Sequence, residues 1–230
     1  MQGILLVDKP ATWTSFDVVN YVRRIVATHE GKKPKNCKVG HTGTLDPFAT
    51  GLLVLLIGKE YTRKAAELSK VDKTYEVTMF LGATSNTGDP EGEIEVVSDT
   101  IPTQEAILEA IEGFKGEIEQ IPPAFSAIKV NGQRAYKLAR EGKEVVIEPR
   151  KVTINRLDLI DYDYPNVHLI ANVSSGTYIR TLVEDIAKTL NTGAYTTQLR
   201  RVQVGNFSID DATEVKKLDI SNMQDKINEI

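Results

Sequence analysis

Cysteine is nearly absent from this 230-residue chain: Cys37 stands alone. One thiol excludes an internal disulfide and a cysteine-based zinc site. Histidine is scarce too. His29, His41 and His168 show no metal-ligand spacing. No apolar run reaches the roughly 18 residues of a membrane helix, and the first residues lack the basic-then-apolar layout of a secretory signal. A reducing, cytoplasmic setting is therefore expected. Several motifs are also missing. There is no phosphate loop ending in Gly-Lys-Ser/Thr, no dinucleotide fingerprint after the first predicted strand and no Gly-x-Ser-x-Gly elbow. Locally paired carboxylates of the glycosidase kind are not visible.

What remains is ordinary globular composition, 41% hydrophobic and 26% charged, with a formal net charge of -4. The charge is uneven. Residues 61–120 hold 5 basic and 13 acidic side chains, whereas residues 121–156 hold 8 basic and 3 acidic. A second basic cluster is Lys32, Lys33, Lys35 and Lys38. Local patches, not the net value, attract a polyanion. Charge alone favours the plainer reading of solvated surface lysines.

Periodicity predicts an α+β layout. Residues 3–8 read as a buried strand. Ser15 is placed to cap a helix running to about His29, with Phe16, Val19, Val22 and Val26 inward. Residues 30–40 form a Gly/Lys/Pro loop. Residues 73–81 alternate as a strand, with Tyr75, Val77, Met79 and Leu81 on one face. Residues 82–100 are turn-rich and acidic. Thr103 caps a helix to about Phe114 through Ile107, Leu108 and Ile111. A strand over 125–130 meets the turn signal Asn131-Gly132, and a short helix covers 135–140. Strands follow near 144–148, 151–161 and 166–174. A helix then runs from Gly176-Thr177 to about Leu190 with Tyr178, Leu182, Val183 and Ile186 on one face. A strand near 195–208 and a short terminal helix complete the chain. Without regular strand–helix–strand alternation, a doubly wound sheet is not expected.

The chemistry concentrates in Gly40-His41-Thr42-Gly43-Thr44-Leu45-Asp46-Pro47-Phe48-Ala49-Thr50-Gly51. Its three glycines permit close approach of a ligand, and Pro47 disfavours helical backbone at Asp46. On local pattern alone Asp46-Pro47 is read first as a helix N-cap with proline at the first helical position. A single carboxylate in a glycine-rich loop suits nucleophilic or base chemistry.

This segment resembles the catalytic motif of the TruB family of tRNA pseudouridine synthases. Further blocks resemble the family in the family's order: Asp8-Lys9-Pro10 with Thr14-Ser15; Lys73-Thr74-Tyr75; residues 122–132 with Arg134-Ala135-Tyr136; Gly176 to Leu182; and Leu199-Arg200-Arg201. The resemblance spans roughly residues 3 to 205. It implies the pseudouridine synthase catalytic fold, a mixed and largely antiparallel sheet flanked by helices. It also implies isomerisation of uridine 55 in the T-loop of tRNA, in which uracil detaches, rotates and rejoins through C5.

By the same resemblance Asp46 is the essential aspartate, acting either as a nucleophile at C1′ or as a base at C2′. Arg180 is the arginine the family pairs with it. Tyr75 stacks on the uracil and takes part in removing the C5 proton. Tyr178 and Leu199 contact the target nucleotide, and His41 packs in the RNA loop once the base has left. Without the resemblance, Tyr75, Tyr178 and Leu199 would all be assigned to the core. Lys129 and Arg134 are expected to touch RNA from a basic, thumb-like insertion at about 122–150. No metal, nucleotide or redox cofactor is implied. The expected partner is the T-arm stem-loop of tRNA, with no membrane, no obligatory protein partner and a monomeric enzyme.

The sequence departs from the family in two ways. Many relatives continue into a C-terminal PUA-type RNA-binding domain. The expectation here is a single catalytic domain over 1–230 without one. Several relatives carry a lysine where this chain has Ser175, which is expected to weaken one phosphate contact. Thr44 and Phe48 are mild variants. Two other readings stand beside the main one: a guide- or partner-dependent pseudouridine synthase, and a tRNA-folding chaperone.

Overall fold

A computed structural model describes residues 1–130 and 132–228. Strand β1 (Gly3–Lys9) leads into helix α1 (Ser15–His29), strand β2 (Val39–His41) and strand β3 (Thr50–Ile57). Two short helices, α2 (Lys59–Arg63) and α3 (Ala65–Leu68), precede β4 (Lys73–Leu81). The hairpin β5 (Ala83–Ser85) and β6 (Ile94–Val96), helix α4 (Gln104–Glu112) and β7 (Gly116–Gln120) follow. The basic segment holds β8 (Lys129–Val130), β9 (Gln133–Arg134) and α5 (Ala135–Arg140). Then come β10 (Arg150–Asp163), β11 (Asn166–Val173), α6 (Ile179–Thr189) and β12 (Ala194–Val204). Three two-residue strands close the chain: β13 (Phe207–Ser208), β14 (Thr213–Glu214) and β15 (Ile227–Asn228).

The chain forms two compact units: Met1–Tyr75 with Leu199 onward, and Glu76–Gln198. In the first, strands lie in the order β14-β1-β3-β12. β1 and β3 are antiparallel, from Gly3 opposite Ile57 to Lys9 opposite Gly51, and β12 joins β3 in parallel. Both faces of this pair are buried. Leu5, Val7, Leu53, Leu55 and Ile57 pack on Val18, Val19, Val22 and Val26 of α1. Ile4, Leu6, Leu52, Val54 and Leu56 pack on Tyr61 and Val204. Each such side chain contributes about 1.5–3 kcal/mol through burial. In the second unit β4, β11, β10 and β7 lie side by side, with antiparallel β11–β10 and β10–β7 ladders. The class is α+β with a mixed, mostly antiparallel sheet.

Several local expectations shift. Thr14, not Ser15, caps α1: its hydroxyl accepts from the Asp17 amide at 3.0 Å while the Asp17 carboxylate accepts from the Thr14 amide at 2.8 Å. Phe16 turns outward at 59% exposure, and Val18 takes its place inside. Thr103 caps α4 as expected, but Leu108 is exposed. Helix α6 starts only at Ile179, with Tyr178 at its cap. Of the strand expected over 125–130 only β8 forms, and 144–148 adopts no regular structure, with Val146 exposed. The terminal helix is replaced by two 3-10 turns, Val215–Lys217 and Gln224–Lys226. Asn131, half of the expected Asn-Gly turn, lies outside the described residues.

Candidate active site

The loop bearing Asp46 joins β2 to β3 and contains no helix. The Ala49 amide donates to the Asp46 carbonyl at 3.2 Å. Asp46-Pro47-Phe48-Ala49 is therefore a tight turn, with proline at the position that favours its fixed φ. The helix-cap alternative fails because Thr50 immediately enters β3. Asp46 is half-buried.

The loop is held through its backbone by residues remote in sequence. Ser15 donates its hydroxyl to the Leu45 carbonyl at 3.0 Å and accepts from the Leu45 amide at 2.8 Å. With Thr14 as the cap, the Ser15 side chain is released for this task. Lys9 is fully buried, its Nζ donating to the carbonyls of Pro10 (2.9 Å), Trp13 (2.6 Å) and Pro47 (3.2 Å). The Thr12 amide also donates to Pro47, at 2.8 Å. Arg201, 2% exposed, donates Nε to the Leu52 carbonyl at 2.8 Å and a terminal nitrogen to the Gly43 carbonyl at 3.1 Å. Gly51 lies opposite Arg201 with φ +102°, and an added Cβ would sit 2.3 Å from the Arg201 carbonyl oxygen. Only glycine fits there. Arg200 makes a two-pronged pair with Asp8, at 3.1 and 2.8 Å.

These buried cations set the electrostatics around the loop. The Lys73 pKa is lowered to about 8, first by burial and then by the Arg201 charge, against the pull of Asp72. Its ammonium donates to the carbonyls of Ser69 (3.0 Å) and Val71 (2.6 Å). The His41 pKa is lowered by burial and then by Arg201, opposed by a bond to the Gly43 backbone. Tyr75 and Leu199 are 7% and 8% exposed and belong to this same unit.

The second unit holds Arg180, Tyr178, Lys129 and Arg134. Arg180, 3% exposed in the first turn of α6, donates to the Thr87 carbonyl and, at 2.9 Å, to the Phe125 carbonyl. It lies 3.4 Å from the Asp89 carboxylate, itself held by the Thr87 hydroxyl (2.6 Å) and the Glu91 amide (3.0 Å). The Tyr178 backbone is bracketed by Gln120, whose side chain accepts from its amide at 2.7 Å and donates to its carbonyl at 3.0 Å. The Arg150 guanidinium stands 4.9 Å from the centre of the Tyr178 ring and donates to the Gly176 carbonyl. The block lacking a lysine at position 175 thus has a cation beside it, supplied by β10. Tyr178 is half-buried, so it is not a core residue. Lys129 and Arg134 are exposed cross-strand neighbours. Two like charges directly opposite are unfavourable until an anion arrives.

The first unit therefore gathers His41, Asp46, Tyr75 and Leu199. Arg180, Tyr178, Lys129 and Arg134 fall in the second. The sequence shows Lys9 and Arg201 only as parts of matching blocks and Ser15 otherwise only as a helix cap, and nothing in it marks Asp89, Gln120 and Arg150 as supports. Among the described residues no group of three or more His, Cys, Asp or Glu is placed to hold a metal ion. Nor is any described helix long and apolar enough to cross a membrane.

Solved structures place the fold. A Cbf5–Nop10–Gar1 complex matches with a TM-score of 0.71 and 26% identity over 94% of this chain. An archaeal box H/ACA sRNP Nop10–Cbf5 complex matches with a TM-score of 0.67 and 23% identity over 96%. The chain spans about half the length of each matched chain, 53% and 54%. The fold class is that of the pseudouridine synthase catalytic core. Residues 30–179 match the TruB family pseudouridylate synthase N-terminal domain, and 180–229 match the tRNA pseudouridylate synthase B C-terminal domain. A protein of Chlamydia muridarum named tRNA pseudouridine synthase B is 42% identical over 219 residues, 95% of this chain and 87% of its own length. One of the same name from Mycobacterium sp. (strain KMS) is 46% identical over 215 residues, 91% of this chain and 69% of its own. The chain belongs to the TruB family of pseudouridylate synthases.

Proposed function

We propose that this enzyme converts uridine 55 in the T-loop of tRNA to pseudouridine, with Asp46 as the catalytic carboxylate. The observation that carries the assignment is the Asp46 loop. Three buried side chains from three other stretches of chain fix its backbone, the preorganisation a reacting carboxylate requires. Relatives named tRNA pseudouridine synthase B at 42% and 46% identity support tRNA as the substrate.

Asp46 attacks C1′ as a nucleophile or removes a proton at C2′. Either route releases uracil, which turns and rejoins the ribose through C5. Arg180 serves as the cation that favours the ionised aspartate. Tyr75 stacks on the base and assists loss of the C5 proton. Tyr178 and Leu199 line the nucleotide pocket, and His41 enters the RNA loop in place of the flipped base. Unstacking costs on the order of a few kcal/mol, and aromatic stacking returns about 1–3 kcal/mol per base. Lys129 and Arg134, in the thumb-like segment 122–150, bind backbone phosphates. The rearrangement is redox-neutral and calls for no redox cofactor. The enzyme acts in the cytoplasm, as a monomer without an obligatory protein partner.

The test is a single-turnover assay on an unmodified T-arm stem-loop, with Asp46→Asn beside the unaltered protein. Product only with the unaltered protein is expected. RNA binding without product points to a chaperone or to a guide-dependent enzyme. Failure to bind either the stem-loop or whole tRNA overturns the assignment.

A further inference from the structure

The basic cluster at 32–38 has no place in the chemistry above. Four lysines and no acidic residue lie between Gly31 and Leu45, in a chain whose net charge is -4. Lys32 is neutralised by Glu30 at 2.8 Å. Lys33, Lys35 and Lys38 are exposed and make no ion pair with a described residue.

These lysines stand on fixed backbone. Pro34–Asn36 forms a 3-10 turn in which the Cys37 amide donates to the Pro34 carbonyl at 3.0 Å. Cys37 and Val39 anchor the strand in the core, and the Lys38 carbonyl accepts from the Gly58 amide at 2.8 Å. Lys35, Lys38 and Arg23 line a cavity of about 400 Å³ together with Cys37, Gly40 and Thr62. Arg23 is held in place, donating to Asn20 at 2.9 Å and to the Val39 carbonyl at 3.1 Å. A neighbouring concavity of about 570 Å³ uses the same helix, α2, and adds Lys59, Arg63 and Lys64 against one acid, Glu60. One held guanidinium and two lysines on fixed backbone around a hollow of nucleotide size fit a phosphate-bearing chain.

Helix α1 measures how far this groove lies from the catalytic loop. Ser15, at its first residue, holds Leu45. At 1.5 Å per residue, Arg23 lies about 12 Å along the axis and the lysine loop begins about 20 Å along it. RNA seated on the Asp46 loop must extend well beyond its target nucleotide to arrive there.

We propose that the groove lined by Arg23, Lys35 and Lys38 binds backbone phosphates of the substrate RNA distal to the target loop, so that it favours whole tRNA over an isolated T-arm. This rests on the function proposed above. The test compares Lys35→Gln/Lys38→Gln with the unaltered protein on a full-length tRNA transcript and on a T-arm hairpin, at several salt concentrations. Both substitutions are at exposed positions, and an unchanged Tm verifies the fold. For full-length tRNA the variant is expected to bind about tenfold more weakly. Its log affinity against log salt should be shallower by about 1.5, because two phosphate contacts are lost. Hairpin affinity and the single-turnover rate at saturating RNA should not change. Unchanged tRNA affinity and slope overturn the proposal, and so does an equal loss on both RNAs. If the unaltered protein binds tRNA without modifying it, the function reading fails while the binding comparison still decides the groove.

Discussion

Arg201→Met tests whether a buried guanidinium both ties down the Asp46 loop and sets the charge around it. Methionine keeps most of the volume and removes two charge-assisted bonds, to Leu52 at 2.8 Å and Gly43 at 3.1 Å. Such bonds are worth about 1.5–3 kcal/mol each. Against this loss stands the relief of a costly buried cation. The net expectation is destabilisation by about 1–3 kcal/mol, measured by urea unfolding. Activity should fall further than stability implies. A loop freed at Gly43 lets Asp46 drift, and misplacement by about 1 Å costs on the order of a hundredfold in rate. Electrostatics supply an independent readout. Arg201 lowers the pKa of His41, so the variant should raise it, as followed by NMR titration of the imidazole. The sign extends to folding. With a lowered native pKa, the unfolded chain binds more protons between that value and 6.5, so His41 makes stability rise with pH in that window. Arg201→Met should flatten that rise. A His41 pKa that stays put or falls would refute the electrostatic argument, and a full-rate variant would refute the tether.

Three further outcomes follow from the same geometry. Ser15→Ala strands the Leu45 amide in a buried setting and should cost about 1–3 kcal/mol, with a slower single-turnover rate while the α1 cap at Thr14 survives in circular dichroism. Lys73, with its pKa near 8, should make stability climb with pH from about 8 towards 10.5, because the unfolded chain holds its proton longer. Lys73→Met should abolish that climb in unfolding curves recorded across the range. Arg150→Met removes the cation over Tyr178, worth about 0.5–1 kcal/mol at a half-exposed site. RNA affinity should weaken about two- to fivefold, and unaltered affinity would show that the stacked pair has no part in binding.

Local patterns exposed the amphipathic elements well. The inward faces of α1 and α6 were readable because one side meets solvent and the other does not; β4 alternates apolar with polar residues, although only Glu76 of its second face is exposed and Thr74 and Thr78 are buried. β3 escaped notice because it is buried on both faces, so Thr50–Ile57 reads as an unbroken apolar run without a period. Asp46-Pro47 misled locally because a helix start and a tight turn ask for the same two residues. Tandem hydroxyls at Thr14 and Ser15 hid which one capped the helix. Lys9 and Arg201 were legible only as members of matching blocks. Nothing in their neighbours tells a cation that its acceptors will be carbonyls supplied from elsewhere in the chain, and lysine and arginine are seldom buried. The strand expected at 144–148 failed because Val146 finds nothing to pack against.

The tethers of the Asp46 loop end on main-chain atoms: the carbonyls of Gly43, Leu45, Pro47 and Leu52 and the amide of Leu45. Every residue type offers those carbonyls, and every type but proline the amide. Thr44, exposed at the loop's edge, and Phe48 can therefore be exchanged while the turn keeps its shape. Freedom to vary lies within the loop that reacts. Intolerance is exported to Lys9, Ser15, Gly51 and Arg201, which a search confined to reacting groups would pass over. Substitutions within the loop should be tried at Thr44 and Phe48, with those four left untouched.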